Sequence, residues 1–174
     1  MTAGTIRAQP GPQEQALASS ADVVIYGGAA GGGKSFGLLL SCVQNAHLPR
    51  FHAQVFRRTH PELVAPGGLC PESHRVFPHV GGAPKNNGEA WSFPSGATVA
   101  FSHMQLEGDR FNWKGAQVPM VGFDQLESFH ESQFWYLLSR NRDPSGQVRP
   151  WVFAPCHPVP EDALSEESKA RAAK

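Results

Sequence analysis

Eight consecutive residues constrain this chain more than any others. Gly28, Ala29, Ala30, Gly31, Gly32, Gly33, Lys34 and Ser35 complete the pattern G-x-x-x-x-G-K-[ST]. A short β-branched run, residues 22–26 (DVVIY), stands before them. After them, residues 34–46 return to helical spacing, with Phe36, Leu39, Leu40 and Val43 on one face. Strand, glycine turn and helix in that order aim successive backbone N–H groups at one point, at the amino end of a helix. A polyphosphate needs such a cradle, because it carries several negative charges and leaves no room for bulky side chains. Glycines permit the dihedrals and the close approach. The pattern therefore predicts phosphate binding by residues 28–35. Lys34 would reach the β- and γ-phosphates, and the Ser35 hydroxyl would bind Mg²⁺. The ligand expected is a nucleoside triphosphate, ATP.

The rest of the chain alternates strands and helices. Residues 13–19 read as a short helix and 22–26 as a buried strand. Residues 52–56 form a second strand ending in Arg57-Arg58. The stretch 59–88 is rich in Pro, Gly and His and reads as loop with one or two short helices. Residues 90–93 and 98–102 flank Pro94-Ser95-Gly96 as a hairpin. Strand 118–123 ends at Asp124, helix 132–140 follows, and 150–154 is a further strand. Such alternation predicts an α/β fold with a mainly parallel sheet. With the glycine loop it points to a P-loop NTPase of the RecA-like (ASCE) kind, a three-layer sandwich. The expected organisation is a lead-in over 1–12, an ATPase domain over 13–160 and a charged tail over 161–174.

Composition sets limits on partners. Fifteen basic and fifteen acidic residues give a formal net charge of zero. A global basic field for gripping nucleic acid is excluded, so any DNA contact needs a local patch such as Arg57/Arg58 or Arg140/Arg142. Cys42, Cys70 and Cys156 are odd in number and widely spaced, which argues against a disulfide framework or a zinc site. No apolar run approaches bilayer length, so no membrane role is expected.

The motif also demands an acid at the end of a neighbouring strand to hold Mg²⁺, and Asp124 after VPMVGF has that form. Ser35 and Asp124 are thus the metal candidates. Hydrolysis further needs a group that orients or deprotonates water. The next position is Gln125, neutral but able to orient a water, and the nearest carboxylate is Glu127. Either can serve, and hydrolysis can also be slow or absent.

Taken together and in order, these segments resemble the ATPase domain of tailed-phage terminase large subunits, the motors that package viral DNA. The match runs from about Pro10 to Pro158. It rests on PGPQEQAL, ADVVIYGGAAGGGKS, VFRRTHPEL, WSFPSGATVAFSHMQLEGD, VGFDQLESF, SQFWYLLSRNR and PWVFAPCHP. The resemblance implies that Gln13 contacts adenine and that Asp124 is the Walker B aspartate. Gln125 stands where the family usually has its catalytic glutamate. His157 replaces the asparagine of the family's coupling motif. An arginine acting on a neighbouring subunit's ATP is also implied, with Arg110 the first candidate and Arg140 and Arg142 the others. Arg57 and Arg58 can touch phosphate, DNA or a neighbour. The implied partners are double-stranded DNA, the portal protein, the small terminase subunit and further copies in a ring, in the host cytoplasm. The family's RNase H-like nuclease half has no counterpart in these residues, so nuclease activity is not expected. Two rival readings remain: a nucleotide-binding module without turnover, and a P-loop transferase such as a small-molecule kinase.

Overall fold

A computed structural model describes residues 6–29 and 31–157. Ala30, Pro158 and the expected tail over 161–174 lie outside the described residues, as do the first five positions of the lead-in. The sheet has seven strands: β1 (Val23–Gly27), β2 (His52–Arg57), β3 (Ala83–Lys85), β4 (Ala90–Ser92), β5 (Thr98–His103), β6 (Met120–Phe123) and β7 (Trp151–Cys156). Their order is β1-β7-β6-β2-β5-β4-β3. The first five strands in that order run parallel, and β4 and β3 close one side antiparallel. The helices are α1 (Pro12–Leu17), α2 (Lys34–Val43), α3 (His60–Val64), α4 (Leu69–Val76) and α5 (Glu131–Leu138).

Strand alternation sorts the core onto the two faces of the sheet. Ala53 and Val55 of β2, Met120 of β6 and Phe153 of β7 pack with Leu38, Leu39 and Cys42 of α2 and with α4. Their sequence neighbours Phe56, Val121, Phe123, Val152 and Ala154 pack on the other side, with Leu137 of α5. The expected three layers follow directly. Phe56 anchors the second face through an edge-on contact with Trp113, their ring centroids 4.8 Å apart.

Several expectations need correction. The strand at 22–26 is not buried. β1 is the sheet's edge among the described residues, paired only with β7, and Ile25 is 59% exposed. Its apolar run gave no sign of this, because an edge strand covered on one face has the same composition. The helix after the glycine loop ends at Val43, and its buried stripe is Leu38, Leu39 and Cys42, with Phe36, Leu40 and Val43 only partly covered. Strand β3 and the 3₁₀ turn Glu107–Trp113 carry no periodicity that a sequence reading could use. The hairpin, β2, β6, α5 and β7 lie where the pattern puts them, within a few residues at each end.

One glycine sets how closely α2 lies on the sheet. A Cβ on Gly122 would stand 2.8 Å from Leu38 Cδ1 and 2.9 Å from Val55 Cγ2. Gly122→Ala is therefore expected to lower stability by about 1–3 kcal/mol through overpacking, measured as a reduced denaturation midpoint in urea. An unchanged midpoint would mean that α2 can lift from β6 without cost.

Candidate nucleotide site

The parallel strands bring their carboxyl ends to one rim, where open α/β sheets bind ligands. β1 runs into the glycine loop, β6 into Asp124 and β7 into His157. Because β7 lies between β1 and β6, His157 stands between the loop and Asp124. Gly27 is paired with Cys156, and the Asp124 N–H donates to the Phe56 carbonyl at 2.9 Å.

Within the loop, Gly31 and Gly33 take left-handed backbone, at φ 78° and 69°. Gly33 is the residue before α2, so the turn from loop to helix is made there. It also lies against Gln13: a Cβ on Gly33 would meet Gln13 Nε2 at 2.9 Å. Gln13 is buried and fully engaged. Its Nε2 donates to the Gly33 carbonyl at 2.8 Å, and its Oε1 accepts from the Gln9 N–H at 2.7 Å. Gln9, Gln13, Tyr26, Gly28 and Lys34 line a cavity of about 240 Å³ beside the loop. The larger cavity, about 420 Å³, opens near the amino ends of β1 and β7, away from this rim. It offers Arg149 as its charged side chain, and Arg149 is paired with Asp22. The smaller cavity is the one beside the glycine loop.

Lys34 is buried at the mouth of the loop. Its ammonium donates to the Gly28 and Ala29 carbonyls at 2.7 and 2.6 Å and lies 3.3 Å from His157 Nε2. None of the three partners is an anion, so among the described residues this buried cation has no directly bonded counter-charge of the kind an anionic ligand would bring. Ser35 Oγ donates to Asp124 Oδ1 at 3.2 Å. A hydroxyl and a carboxylate side by side are hard oxygen donors of the type Mg²⁺ takes. The other carboxylate oxygen, Asp124 Oδ2, accepts a charged hydrogen bond from Arg57, so a cation already stands against it. The residues present fit the metal. Burial pushes the Asp124 carboxyl above the usual carboxylate range, against the opposing pull of Arg57 and Ser35.

Gln125 occupies left-handed backbone at φ 61°, uncommon for a residue with a side chain. The turn leads into Leu126–Ser128, whose first hydrogen bonds return to the Gln125 carbonyl from the N–H and hydroxyl of Ser128. It carries Glu127 back toward the end of β7. Glu127 Oε2 accepts from the His157 N–H at 3.1 Å, and Oε1 lies 3.2 Å from His157 Nδ1. Lys34, His157 and Glu127 thus form one contiguous polar chain.

The structure therefore brings together Gln13, Lys34, Ser35, Asp124, Glu127 and His157, with Gln125 at the turn between them. It does not bring Arg110 to them. Arg110 lies on the 3₁₀ turn, donating to the Glu107 carbonyl at 2.6 Å and to its carboxylate at 3.1 Å, with its guanidinium 4.4 Å from the Phe111 ring centroid. Arg140 rests near the Tyr136 ring. Sequence reasoning did not foresee Gln9 in the site, nor that Arg57 grips Asp124. An arginine ending the strand beside the one that carries the acid was the available signal.

A parallel sheet with a strand, glycine loop and helix, and an acid at the end of a second strand, has the RecA-like P-loop ATPase fold. Within that class, the fold is that of large-terminase ATPase domains. The large terminase of a thermophilic bacteriophage aligns with a TM-score of 0.61 at 16% identity, over 92% of this chain and 48% of that one. That protein has also been solved in complex with ATP-gamma-S. The large terminase of bacteriophage HK97 gives a TM-score of 0.60 at 10% identity, over 87% and 33% of the two chains. The ATPase domain of the Thermus phage P74-26 large terminase gives 0.56 at 17% identity, over 87% and 65%. The chain spans about half the length of the first of these proteins. No family model and no curated protein matches the sequence.

Gln13 ties α1 to the start of α2. Gln13→Ala is expected to leave the Gly33 carbonyl without its buried donor and to cost about 1–3 kcal/mol, read by urea unfolding without nucleotide. A purely ligand-contacting role would leave that stability untouched.

Proposed function

We propose that this chain binds and hydrolyses ATP with Mg²⁺, and that it is the motor domain of a terminase large subunit. The observation that carries the reading is Lys34: a buried ammonium beside the glycine loop, bonded to two carbonyls and an imidazole with no anion among them, next to a Ser35–Asp124 pair. The likeness in fold to phage large terminases supports the choice among ATPases. In this reading the loop N–H groups from Gly28 to Gly33 and Lys34 bind the phosphates, and Ser35 and Asp124 hold Mg²⁺. Gln13, with Gln9 and Tyr26, borders the cavity that takes the base. Mg²⁺, when bound, neutralises charge on the β- and γ-phosphate oxygens.

Glu127 is the group that accepts the proton of the attacking water. It is a carboxylate one imidazole away from Lys34, whereas Gln125 offers only a neutral amide. Its present partner His157 also reaches Lys34, so the base is held next to the phosphate-binding lysine. Water oxygen bonds to the γ-phosphorus, the bond from that phosphorus to the β–γ bridging oxygen breaks, and ADP leaves with that oxygen. Arg110, Arg140 and Arg142 are the side chains offered to a neighbouring copy's phosphates. The work done is translocation of double-stranded DNA into a procapsid, by a ring of copies acting with the portal protein and the small subunit in the host cytoplasm. No helix among the described residues is long and apolar enough to cross a membrane.

Steady-state hydrolysis of ATP with Mg²⁺ tests this. Lys34→Ala is expected to abolish turnover and weaken nucleotide binding. Glu127→Gln is expected to lower kcat about 10²–10⁴-fold while nucleotide binding persists. A loss of that size in Gln125→Ala, with Glu127→Gln active, would move the role to Gln125. Absence of turnover in the unmodified chain, rescued by Gln125→Glu, would favour the reading of a nucleotide-binding module without turnover.

A further inference from the structure

Arg57 has no part in the scheme above, yet it makes the closest contact to Asp124. The carboxylate is 3% exposed, and a buried carboxylate alone is costly. Arg57, at the end of β2, supplies the missing charge: its Nη1 donates to Asp124 Oδ2. A second carboxylate waits on the other side of the same guanidinium. Glu62 Oε2 lies 3.7 Å from Arg57 Nε, and that Nε is buried with no hydrogen-bond partner. Glu62 is held in place by the capping box of α3, accepting from the Thr59 N–H at 3.1 Å. The guanidinium therefore sits between two carboxylates, bonded to one and just short of bonding to the other.

We propose that Arg57 is a positioning residue that occupies Asp124 in place of the metal and yields it when magnesium and nucleotide load, passing to Glu62. A guanidinium is not released by deprotonation, so while Asp124 is ionised a competing cation is what frees it. Magnesium and Arg57 bind the same carboxylate, and each lowers the other's apparent affinity for it. The open Nε–H gives the displaced side chain a ready acceptor in Glu62, so the exchange leaves no unpaired charge. Metal loading then depends on the negative charge that the phosphates bring, and the site does not fill with magnesium alone.

This inference rests on the nucleotide reading above, and the two fail differently. A fluorescent, non-hydrolysable ATP analogue is titrated with Mg²⁺ against the unmodified chain, R57Q and E62Q. The half-saturating Mg²⁺ concentration is expected to fall at least about tenfold in R57Q, the equivalent of one charge-assisted hydrogen bond lost by the competitor. In E62Q, which removes the second negative charge but keeps an acceptor oxygen, it is expected to rise. Analogue affinity at saturating Mg²⁺ is expected to change far less in both variants, which a merely structural role for Arg57 would not produce. An unaltered Mg²⁺ dependence in R57Q overturns the inference while leaving nucleotide binding intact. If R57Q does not fold, E62Q decides by the same criterion. Failure of the unmodified chain to bind the analogue at any Mg²⁺ concentration overturns the nucleotide reading itself.

Discussion

The parallel ladder between β7 and its two neighbours is what the rest of the site depends on. β7 pairs with β1 on one side and β6 on the other, register for register. This fixes the glycine loop, His157 and Asp124 along one rim. The two core faces hold the arrangement flat against α2 and α5, and Gly122 lets α2 come down close enough for Ser35 to reach Asp124. Shifting β7 by one residue would turn Phe153 out of one core and Val152 and Ala154 out of the other, so the apolar pattern enforces the register.

Charge in the site is distributed unequally among its members. Lys34 has no anionic partner, Asp124 has a cationic partner, and Glu127 leans on a histidine. In the proposed reading, phosphate and a divalent cation would satisfy Lys34 and replace Arg57 at once. Apart from Arg57 Nε, buried polar groups near the rim have partners: Gln13 at both ends, and Gln133 through Arg58, the His130 N–H and the Met104 and Leu106 carbonyls. The low local dielectric makes such pairs strong when complete and expensive when broken.

Much of this was legible in the sequence, for identifiable reasons. The glycine loop declares itself because few backbones need that many glycines before Lys-Ser. β2, β6 and β7 declare themselves as apolar runs, since central parallel strands are buried on both faces. Asp124 followed from its place at the end of such a run. What could not be read depends on strand order. That β1 is peripheral, that β7 separates it from β6, and that β2 lies beside β6 so that Arg57 faces Asp124 are facts of pairing between distant segments. Gln9 was hidden for a related reason: its contact with Gln13 matters only because α1 folds back onto the start of α2.

The peripheral position of β1 has a mechanical meaning. Among the described residues the strand that leads into the glycine loop is hydrogen-bonded along one side only, to β7. The loop thus rides on a beam clamped at a single flank, while Asp124 is set in the stiff middle of the sheet. Within the sheet, a displacement of β1 is passed to the interior strands through β7. Within the sheet, the compliant part of the site and its rigid reference are joined through that one strand, and outside it through α2 and the Ser35–Asp124 hydrogen bond.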